Sequence, residues 1–213
     1  MIKQNASTIE DKIKLLANQY ATTLKTKINN RETEMITDDV SHYLIYAVLG
    51  IGLKEGQLID SYQNKGRFLY KYAGSFLEEA TKLCFLERFP TSGSCKINNT
   101  LGSRPKTFEI DCLIDDKIAI EIKWRDATTD GDHITKEHTR IQAIADAGFC
   151  PVRIMFYYPN RQQAIRIQKT LETLYAGLAG EYHYGEAAWN YVKNKTTVDL
   201  KTILDCIALE NTR

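Results

Sequence analysis

The sequence of 213 residues predicts an α/β fold with a mixed sheet flanked by helices, in the order αβββαβ, and with extra helices at both termini. Three observations lead to this prediction. Apolar and polar side chains alternate in two runs between Thr107 and Lys123, as in a β-hairpin with one apolar face. A long amphipathic helical pattern precedes this hairpin. An unbroken apolar run of strand length comes after the helix that follows it.

Composition limits the class of protein. Hydrophobic residues make up 43% of the chain and charged residues 26%, and no apolar run is long enough to cross a membrane. No signal-peptide pattern is present either, so we expect a single cytoplasmic domain over residues 1–213 with no membrane contact. The five cysteines are odd in number and lack CxxC spacing, which indicates neither a disulfide framework nor a zinc site.

The formal net charge of +1 is small for a protein that binds nucleic acid, because phosphate binding usually requires an excess of Lys and Arg. A cluster of carboxylates that binds a metal would, however, offset a basic surface elsewhere on the same protein. Net charge therefore neither favours nor excludes a nucleic-acid enzyme.

The first segment, residues 1–60, is predicted to be a helical N-terminal extension. Apolar residues recur every three or four positions from Thr8 to Ile28, which predicts an amphipathic helix. A second helical pattern runs from Met35 to Gly50, with Asp38 or Asp39 as the N-cap. Three glycines are then expected to interrupt the chain, at Gly50, Gly52 and Gly56.

A long helix from Lys65 to Cys84 opens the central core, residues 65–178. At about 100° per residue, Glu79 falls on the margin of its apolar face, whereas Glu78 points nearly opposite. Glu79 is therefore the carboxylate of this helix that is directed towards the core. Pairing of Glu79 with a lysine of the same helix is an equally good interpretation, and for Glu78 it is the favoured one.

A short strand from Ser94 to Asn98 and a Gly/Pro loop from Asn99 to Lys106 lead into the hairpin. Two basic residues of this loop, Arg104 and Lys106, would lie beside the hairpin. We therefore count both as candidate phosphate contacts.

The hairpin itself fixes its own register. If both apolar faces pack on one core, Ile114 must pair with Ile118 across a three-residue loop, because a slip of one residue would expose one strand's apolar side chains. That register sets Asp111 opposite Glu121. Since opposed residues lie roughly 5 Å apart at Cβ and alternate residues on one strand roughly 7 Å apart, Lys123 joins the same patch.

Two carboxylates and one amine in a patch have a specific chemical use. Hard oxygen ligands from Asp111 and Glu121, with the main-chain carbonyl of Ile122, suit Mg²⁺, which keeps several waters and also accepts phosphate oxygens as ligands. Lys123 would orient water or offset charge on a phosphate. The alternative is an ordinary hairpin of another α/β protein, whose charges form a surface salt-bridge cluster that contributes little.

After the hairpin in the sequence we expect a helix from Ile134 to Ala147, capped by Asp132. Its N-terminal half is dense in hydrogen-bond donors that are predicted to face outward, and a helix N-terminus with such neighbours suits phosphate. These donors are His133, Lys136, His138, Arg140 and Gln142. Without a partner at metal-ligand spacing, neither histidine is predicted to bind metal.

The remaining elements complete the core and the C-terminal tail. The run from Pro151 to Tyr158 predicts a strand buried on both faces. Asn160 and Gln163 indicate a capping box for a helix that ends near Leu178. The tail, residues 180–213, begins with clustered aromatic residues that we expect to fill a core, and ends in an amphipathic helix over residues 198–209.

The hairpin residues resemble a known signature. Asp111, followed after nine residues by Glu121-Ile122-Lys123, resembles the PD-(D/E)xK motif of many type II restriction endonucleases and DNA-repair nucleases, with Ile110 in place of the proline. The αβββαβ order from Lys65 to Leu178 resembles the restriction-endonuclease-like core of that superfamily. Two segments, KGRFLYKYAGSFLEEATK and EIKWRDATTDGDHITKEHTRIQ, are similar to the ApaLI-like restriction endonuclease family.

The resemblance implies a type II restriction endonuclease that uses Mg²⁺ to hydrolyse double-stranded DNA and leaves 5′-phosphates. It assigns the metal to Asp111, Glu121, the Ile122 carbonyl and Glu79, and makes Lys123 the residue that positions or deprotonates water. A palindromic target implies a homodimer, since each subunit reads one half-site. No nucleotide cofactor is expected.

The resemblance also marks candidate DNA contacts and leaves two alternatives open. The candidate contacts are Arg104, Lys106, His133, Lys136 and Arg140. A DNA-repair or junction-resolving nuclease of the same fold would cut branched or damaged DNA instead of a fixed sequence. A non-catalytic DNA-binding relative would show no dependence on metal.

Overall fold

The computed structural model describes residues 7–102, 104–125 and 132–211. The described residues divide into two compact units, a helical unit over residues 14–76 and an α/β unit that combines residues up to 13 with residues from 77 onward. The helices are α1 (Ile9–Met35), α2 (Tyr43–Val48), α3 (Leu53–Arg88), α4 (Asp132–Asp146), α5 (Gln162–Gly177), α6 (Glu186–Thr196) and α7 (Leu200–Asn211). The strands are β1 (Gly93–Asn98), β2 (Thr107–Ile114), β3 (Ile118–Arg125), β4 (Cys150–Tyr157) and β5 (Glu181–Tyr184).

The predicted fold class is confirmed by the α/β unit. Its five strands form one mixed sheet in the order β1-β2-β3-β4-β5, in which β1, β2 and β3 are antiparallel neighbours and β3, β4 and β5 are parallel neighbours. The order from α3 to β4 is the predicted αβββαβ. The fifth strand, β5, lies within the aromatic segment that was predicted as tail. It was not predicted as a strand, because four residues are too few to show a period of two.

The hairpin register is the predicted one. Ile114 pairs with Ile118 and Cys112 with Ile120, and the alternate residues of β2 from Phe108 onward are buried. In contrast to β2, the central strand β3 is buried on both faces from Ala119 to Ile122. A carboxylate on β3 therefore lies inside the protein and not on a solvated face.

The helical unit differs from the prediction at its second helix. α2 contains only six residues and begins after His42, so an N-cap at Asp38 or Asp39 is wrong. Asp39 instead accepts hydrogen bonds from the main-chain N–H and the hydroxyl of Ser41, at 2.9 and 2.6 Å. These bonds stabilise a turn, which is the local structure that a short acidic side chain offers the backbone as an alternative to a helix.

One of the three glycines that were predicted to break the chain lies inside a helix. α3 begins at Leu53, so Gly56 is helical. A Cβ atom at Gly56 would lie 2.8 Å from Cδ2 of Tyr46 and 3.0 Å from Cδ1 of Tyr43. The missing side chain lets α2 pack closely on α3, which explains why a glycine is present in a helix that it would otherwise destabilise.

The C-terminal elements show one further difference. Arg161 is the N-cap of α5 and makes no side-chain cap hydrogen bond, so the capping box of Asn160 and Gln163 is wrong. Trp189 and Tyr191 of α6 are buried, as expected of a core, and the Trp189 ring lies 4.2 Å from that of Phe156 on β4. Among the described helices, none combines the length and apolar character that crossing a membrane would require.

Candidate active site

The β2/β3 hairpin brings the two predicted carboxylates together. Asp115 and Asp116 both adopt positive φ, and the Lys117 N–H donates to the Ile114 carbonyl at 3.0 Å, which closes the three-residue loop. Beyond the Cys112–Ile120 pair, Asp111 Oδ2 accepts a hydrogen bond from the Ile122 N–H at 2.8 Å. The Asp111 carboxylate is thereby held against the β3 backbone, beside Glu121.

Glu121 is the most enclosed residue of this site. Its side chain is only 2% exposed, and its carboxylate forms ion pairs with Nζ of Lys123 and with the guanidinium of Arg140. Lys123 is two residues along the same strand, whereas Arg140 reaches the carboxylate from α4. The structure therefore brings Asp111, Glu121 and Lys123 together, as the register predicts, and adds a second cation.

The charges of the site shift the pKa values of the two carboxylates in opposite directions. Burial, followed by the negative charge of Glu121, raises the pKa of Asp111 to about 7. Burial alone would also raise the pKa of Glu121, but the positive charges of Lys123, Arg140 and Arg153 outweigh it and lower that pKa. Glu121 is thus held ionised, whereas burial and the negative charge of Glu121 both oppose ionisation of Asp111.

α4 presents an ionic face to the sheet. Arg140, predicted to face outward, is instead only 16% exposed, and besides its pair with Glu121 it donates to the Glu109 carbonyl at 2.6 Å. One turn earlier, Glu137 accepts from Nη1 of Arg153 on β4 at 3.0 Å. Arg153 stands beside Glu121 in the β3/β4 ladder. Cations and carboxylates therefore alternate from Arg140 through Glu121 and Arg153 to Glu137.

The buried ion pair between Glu137 and Arg153 is supported by a further polar contact. Arg153 is fully buried and Glu137 is 5% exposed. The Tyr175 hydroxyl of α5 also donates to Oε1 of Glu137, at 2.9 Å. Because breaking such a pair leaves an uncompensated charge in the protein interior, these contacts fix the position of α4 over the strands that carry the carboxylates.

Sequence reasoning missed Glu137 and Arg153, and it misplaced Arg140. A signal for Arg153 was present, since it is the only charged residue in the apolar run from Pro151 to Tyr158. A charged residue in a strand buried on both faces must have a partner in the interior. The identity of that partner is set by how α4 lies on the sheet, which no local pattern reveals.

The other candidate residues lie at varied positions. Glu79 is 47% exposed and pairs with Lys82 at 2.9 Å, and Glu78 pairs with the same lysine at 3.1 Å. Arg104, Lys106 and Lys136 are exposed. The side chains of His133 and of Asp132, the predicted cap of α4, lie outside the described residues.

The donor set fits Mg²⁺ only if other ligands complete it. Over residues 7–102, 104–125 and 132–211, no three Asp, Glu, His or Cys side chains are grouped closely enough to hold a metal ion. Mg²⁺ is, however, commonly bound by one or two carboxylates together with waters and substrate phosphates. Asp111 and Glu121 supply those carboxylates, and a divalent cation would offset the burial and the negative charge of Glu121 that together raise the pKa of Asp111.

Comparison with known proteins gives one family. The model of the ApaLI-like restriction endonucleases matches residues 2–209, almost the whole sequence, and this confirms the resemblance predicted from the sequence. No curated protein matches the chain, and no solved structure does. The matched region includes the hairpin, α4 and the whole of the helical unit.

Proposed function

The chain belongs to the ApaLI-like restriction endonuclease family, and we propose that it cuts double-stranded DNA at the β2/β3 hairpin in a Mg²⁺-dependent reaction that leaves 5′-phosphates. The observation that carries the proposal is that the carboxylates of Asp111 and Glu121 lie side by side on the hairpin, with the Lys123 ammonium paired to Glu121. In that grouping Asp111, Glu121 and the Ile122 carbonyl would hold the metal. Glu79, which pairs with Lys82 at 2.9 Å, stays a candidate further ligand.

Each residue has a distinct part in the hydrolysis. When bound, Mg²⁺ supplies positive charge beside the scissile phosphate and makes water a stronger nucleophile at neutral pH. Lys123 donates hydrogen bonds to the attacking water or to the phosphate, and its ammonium balances the negative charge that develops there. Water adds to phosphorus, the 3′ oxygen leaves and takes up a proton, and a 5′-phosphate remains on the other fragment.

Arg140 is a positioning residue in this proposal. Its guanidinium joins the Glu121 carboxylate to the Glu109 carbonyl, so it ties β3 to β2 at the level of the site. These two contacts favour a structural role for Arg140 at Glu121 and not the direct DNA contact that was expected from the sequence. Exposed Arg104, Lys106 and Lys136 remain the proposed phosphate contacts of the α/β unit, together with His133.

A basic cavity on the helical unit is a further proposed DNA contact. It has a volume of about 400 Å³ and lies between α1 and α3. Four of its residues are cations, and two of these, Lys27 and Lys71, form no ion pair with any residue that the structure describes. The lining residues are Lys27, Asn30, Arg31, Glu34, Arg67, Phe68, Lys71 and Tyr72. Cations gathered in a groove attract the phosphate backbone without reading its sequence.

The test is incubation of the purified protein with phage DNA, with Mg²⁺ or with EDTA, followed by electrophoresis and mapping of the fragment ends. We expect discrete fragments with 5′-phosphates in Mg²⁺, and none in EDTA or with Asp111→Asn. A smear, or cutting of branched DNA alone, would favour the repair or junction-resolving nuclease. DNA binding without cutting at any metal concentration would favour the non-catalytic relative and refute the proposal.

A further inference from the structure

The helical unit lacks a hydrophobic core. Between residues 14 and 76, Gly56 is the one residue that the structure shows as buried. The α/β unit, by contrast, buries apolar side chains on every strand of its sheet from β1 to β4. Three helices that bury no large side chain gain little from the hydrophobic effect, and most helical stability in proteins comes from packing of an apolar face.

Many apolar side chains of the helical unit are exposed at its surface. Seven of them lie within one stretch of 18 residues and are each 55–81% exposed. We call this set the α2 surface; it consists of Ile36, Val40, Leu44, Ile45, Val48, Leu49 and Leu53. Ile36 and Val40 line a cavity together with Tyr43, so the residues before α2 and the helix itself are neighbours.

The helix pattern explains this exposure. Tyr43 and Tyr46 face α3, where the Tyr46 hydroxyl donates to Asp60 at 2.9 Å and both rings pack at Gly56. At about 100° per residue, Leu44, Ile45 and Val48 then lie on the opposite side of α2. α2 therefore has two packing faces, of which one is occupied.

The α2 surface has the size of a subunit interface. At roughly 100 Å² of apolar area for a side chain of Leu size, its seven side chains expose about 500 Å², towards the upper end of the range for the largest patch of a monomer. A stable interface buries about 800 Å² on each partner, of which about 65% is apolar in homodimers. The exposed apolar area of the α2 surface is therefore close to the apolar area that one subunit of a homodimer buries.

Charge decides which partner fits. Six of the seven side chains lie in residues 40–53, which contain no Asp, Glu, Lys or Arg. The two acidic residues between Ile36 and Val40 are engaged within the same copy, Asp38 with Arg31 at 2.7 Å and Asp39 with Ser41 at 2.6 Å. DNA therefore finds no cation there to bind, and a charged protein surface finds no complement. A two-fold axis brings a surface against itself, so it would bring like charges together, and an uncharged apolar surface is the kind that meets its own copy without repulsion.

We propose that the α2 surface is the dimer interface, where it packs against the same surface of a second copy of this chain about a two-fold axis. The inference rests on the proposed function, because a homodimer is expected of an enzyme that cuts a palindromic site, and it goes further in naming the residues that form the interface. Packing there would give the helical unit the buried apolar side chains that a single copy lacks.

The first test is the mass in solution, measured by light scattering after gel filtration, without DNA or metal. We expect the wild type to be a dimer at micromolar concentration, and Leu44→Glu/Val48→Glu to be a monomer with unchanged helical circular dichroism. Leu209→Glu, which changes a 59% exposed leucine of α7, is the matched control and should stay dimeric. A monomeric wild type, or a Leu44→Glu/Val48→Glu variant that stays dimeric, would overturn the proposal.

A second measurement needs no variant and so does not depend on whether the double substitution folds. Amide hydrogen exchange of the wild type is followed at concentrations below and above the dimer dissociation constant. We expect exchange to slow in peptides that cover residues 43–53 at the higher concentration, while peptides from α7 do not change. Slowing confined to other segments, or slowing of residues 43–53 only when DNA is added, would refute the interface.

These experiments separate the failure of this inference from failure of the proposed function. A dimer with the expected protection but no DNA cleavage would retain the interface and refute the nuclease proposal. Sequence-specific cleavage by a monomer would do the reverse.

Discussion

The two units of this chain place their apolar and charged side chains in opposite ways. The α/β unit buries large apolar residues and also encloses charges, with Glu121, Glu137 and Arg153 each at most 5% exposed. The helical unit leaves many of its leucines and isoleucines exposed and has ion pairs at its surface, as with Lys65 and Glu32. Each enclosed charge of the α/β unit therefore depends on a partner in the interior, whereas the exposed apolar residues of the helical unit form the proposed dimer interface.

This contrast bears on how each unit is stabilised. Exposed ion pairs contribute about 0–1 kcal/mol each, so the surface pairs of the helical unit cannot replace a core. The enclosed charges of the α/β unit are costly to desolvate, and they persist because each has a partner within hydrogen-bonding distance, such as Arg153 with Glu137 at 3.0 Å. Substitutions in the two units should therefore differ in kind as well as in size.

The largest expected effect is the loss of one partner of the buried pair. Arg153→Met should lower the free energy of unfolding by about 3–5 kcal/mol, because Glu137 is left as a buried charge without its cation. Urea unfolding measures the change. Glu137→Leu/Arg153→Met is the matched control, which should recover much of the loss because no lone charge remains. A double variant no more stable than the single one would mean that the pair, not the lone charge, stabilises the fold.

The next prediction compares one apolar truncation in each unit. Ile120→Ala should cost about 2–5 kcal/mol, because the Ile120 side chain is fully buried at the centre of the sheet and leaves a cavity. Leu69→Ala, at a 56% exposed position of α3 outside the α2 surface, should change the free energy of unfolding by less than about 0.5 kcal/mol. Equal losses in denaturant unfolding would contradict the contrast between the units.

A catalytic substitution should lower the cleavage rate far more than it lowers stability, because Arg140 still pairs with Glu121. Lys123→Ala removes the cation beside Glu121 and should reduce single-turnover cleavage by about 10²–10³-fold, a typical loss for one transition-state donor. Glu109→Gln is the control, since it changes an exposed carboxylate two residues from Asp111 on the same strand. A Lys123→Ala variant that cuts at the wild-type rate would exclude the hairpin as the active site.

The same contrast explains what the sequence could predict. The hairpin register follows from patterns within 20 residues, since alternation and the three-residue loop are local, and it places Asp111, Glu121 and Lys123 correctly side by side. Arg140 at Glu121, and Glu137 at Arg153, depend on how α4 lies across strands that are distant along the chain. Local periodicity likewise predicts that α1 and α3 are amphipathic helices, but not that the apolar residues of the helical unit lack a covering partner.

The smallest expected effect tests the charged surface of the helical unit. Lys27→Ala/Lys71→Ala should weaken DNA binding by about 1 kcal/mol or more, and should reduce the slope of log affinity against log salt by about 1 for each phosphate that is no longer neutralised. Binding is measured in Ca²⁺ or without metal, over a range of salt, for the target site and for unrelated DNA. Because lysine contacts to phosphate carry no sequence information, both DNAs should lose affinity equally. Lys54→Ala, which removes a lysine of α3 outside the cavity, is the control. If Lys54→Ala changes the slope as much as the double variant, the effect comes from total charge, and the cavity has no special part in DNA binding.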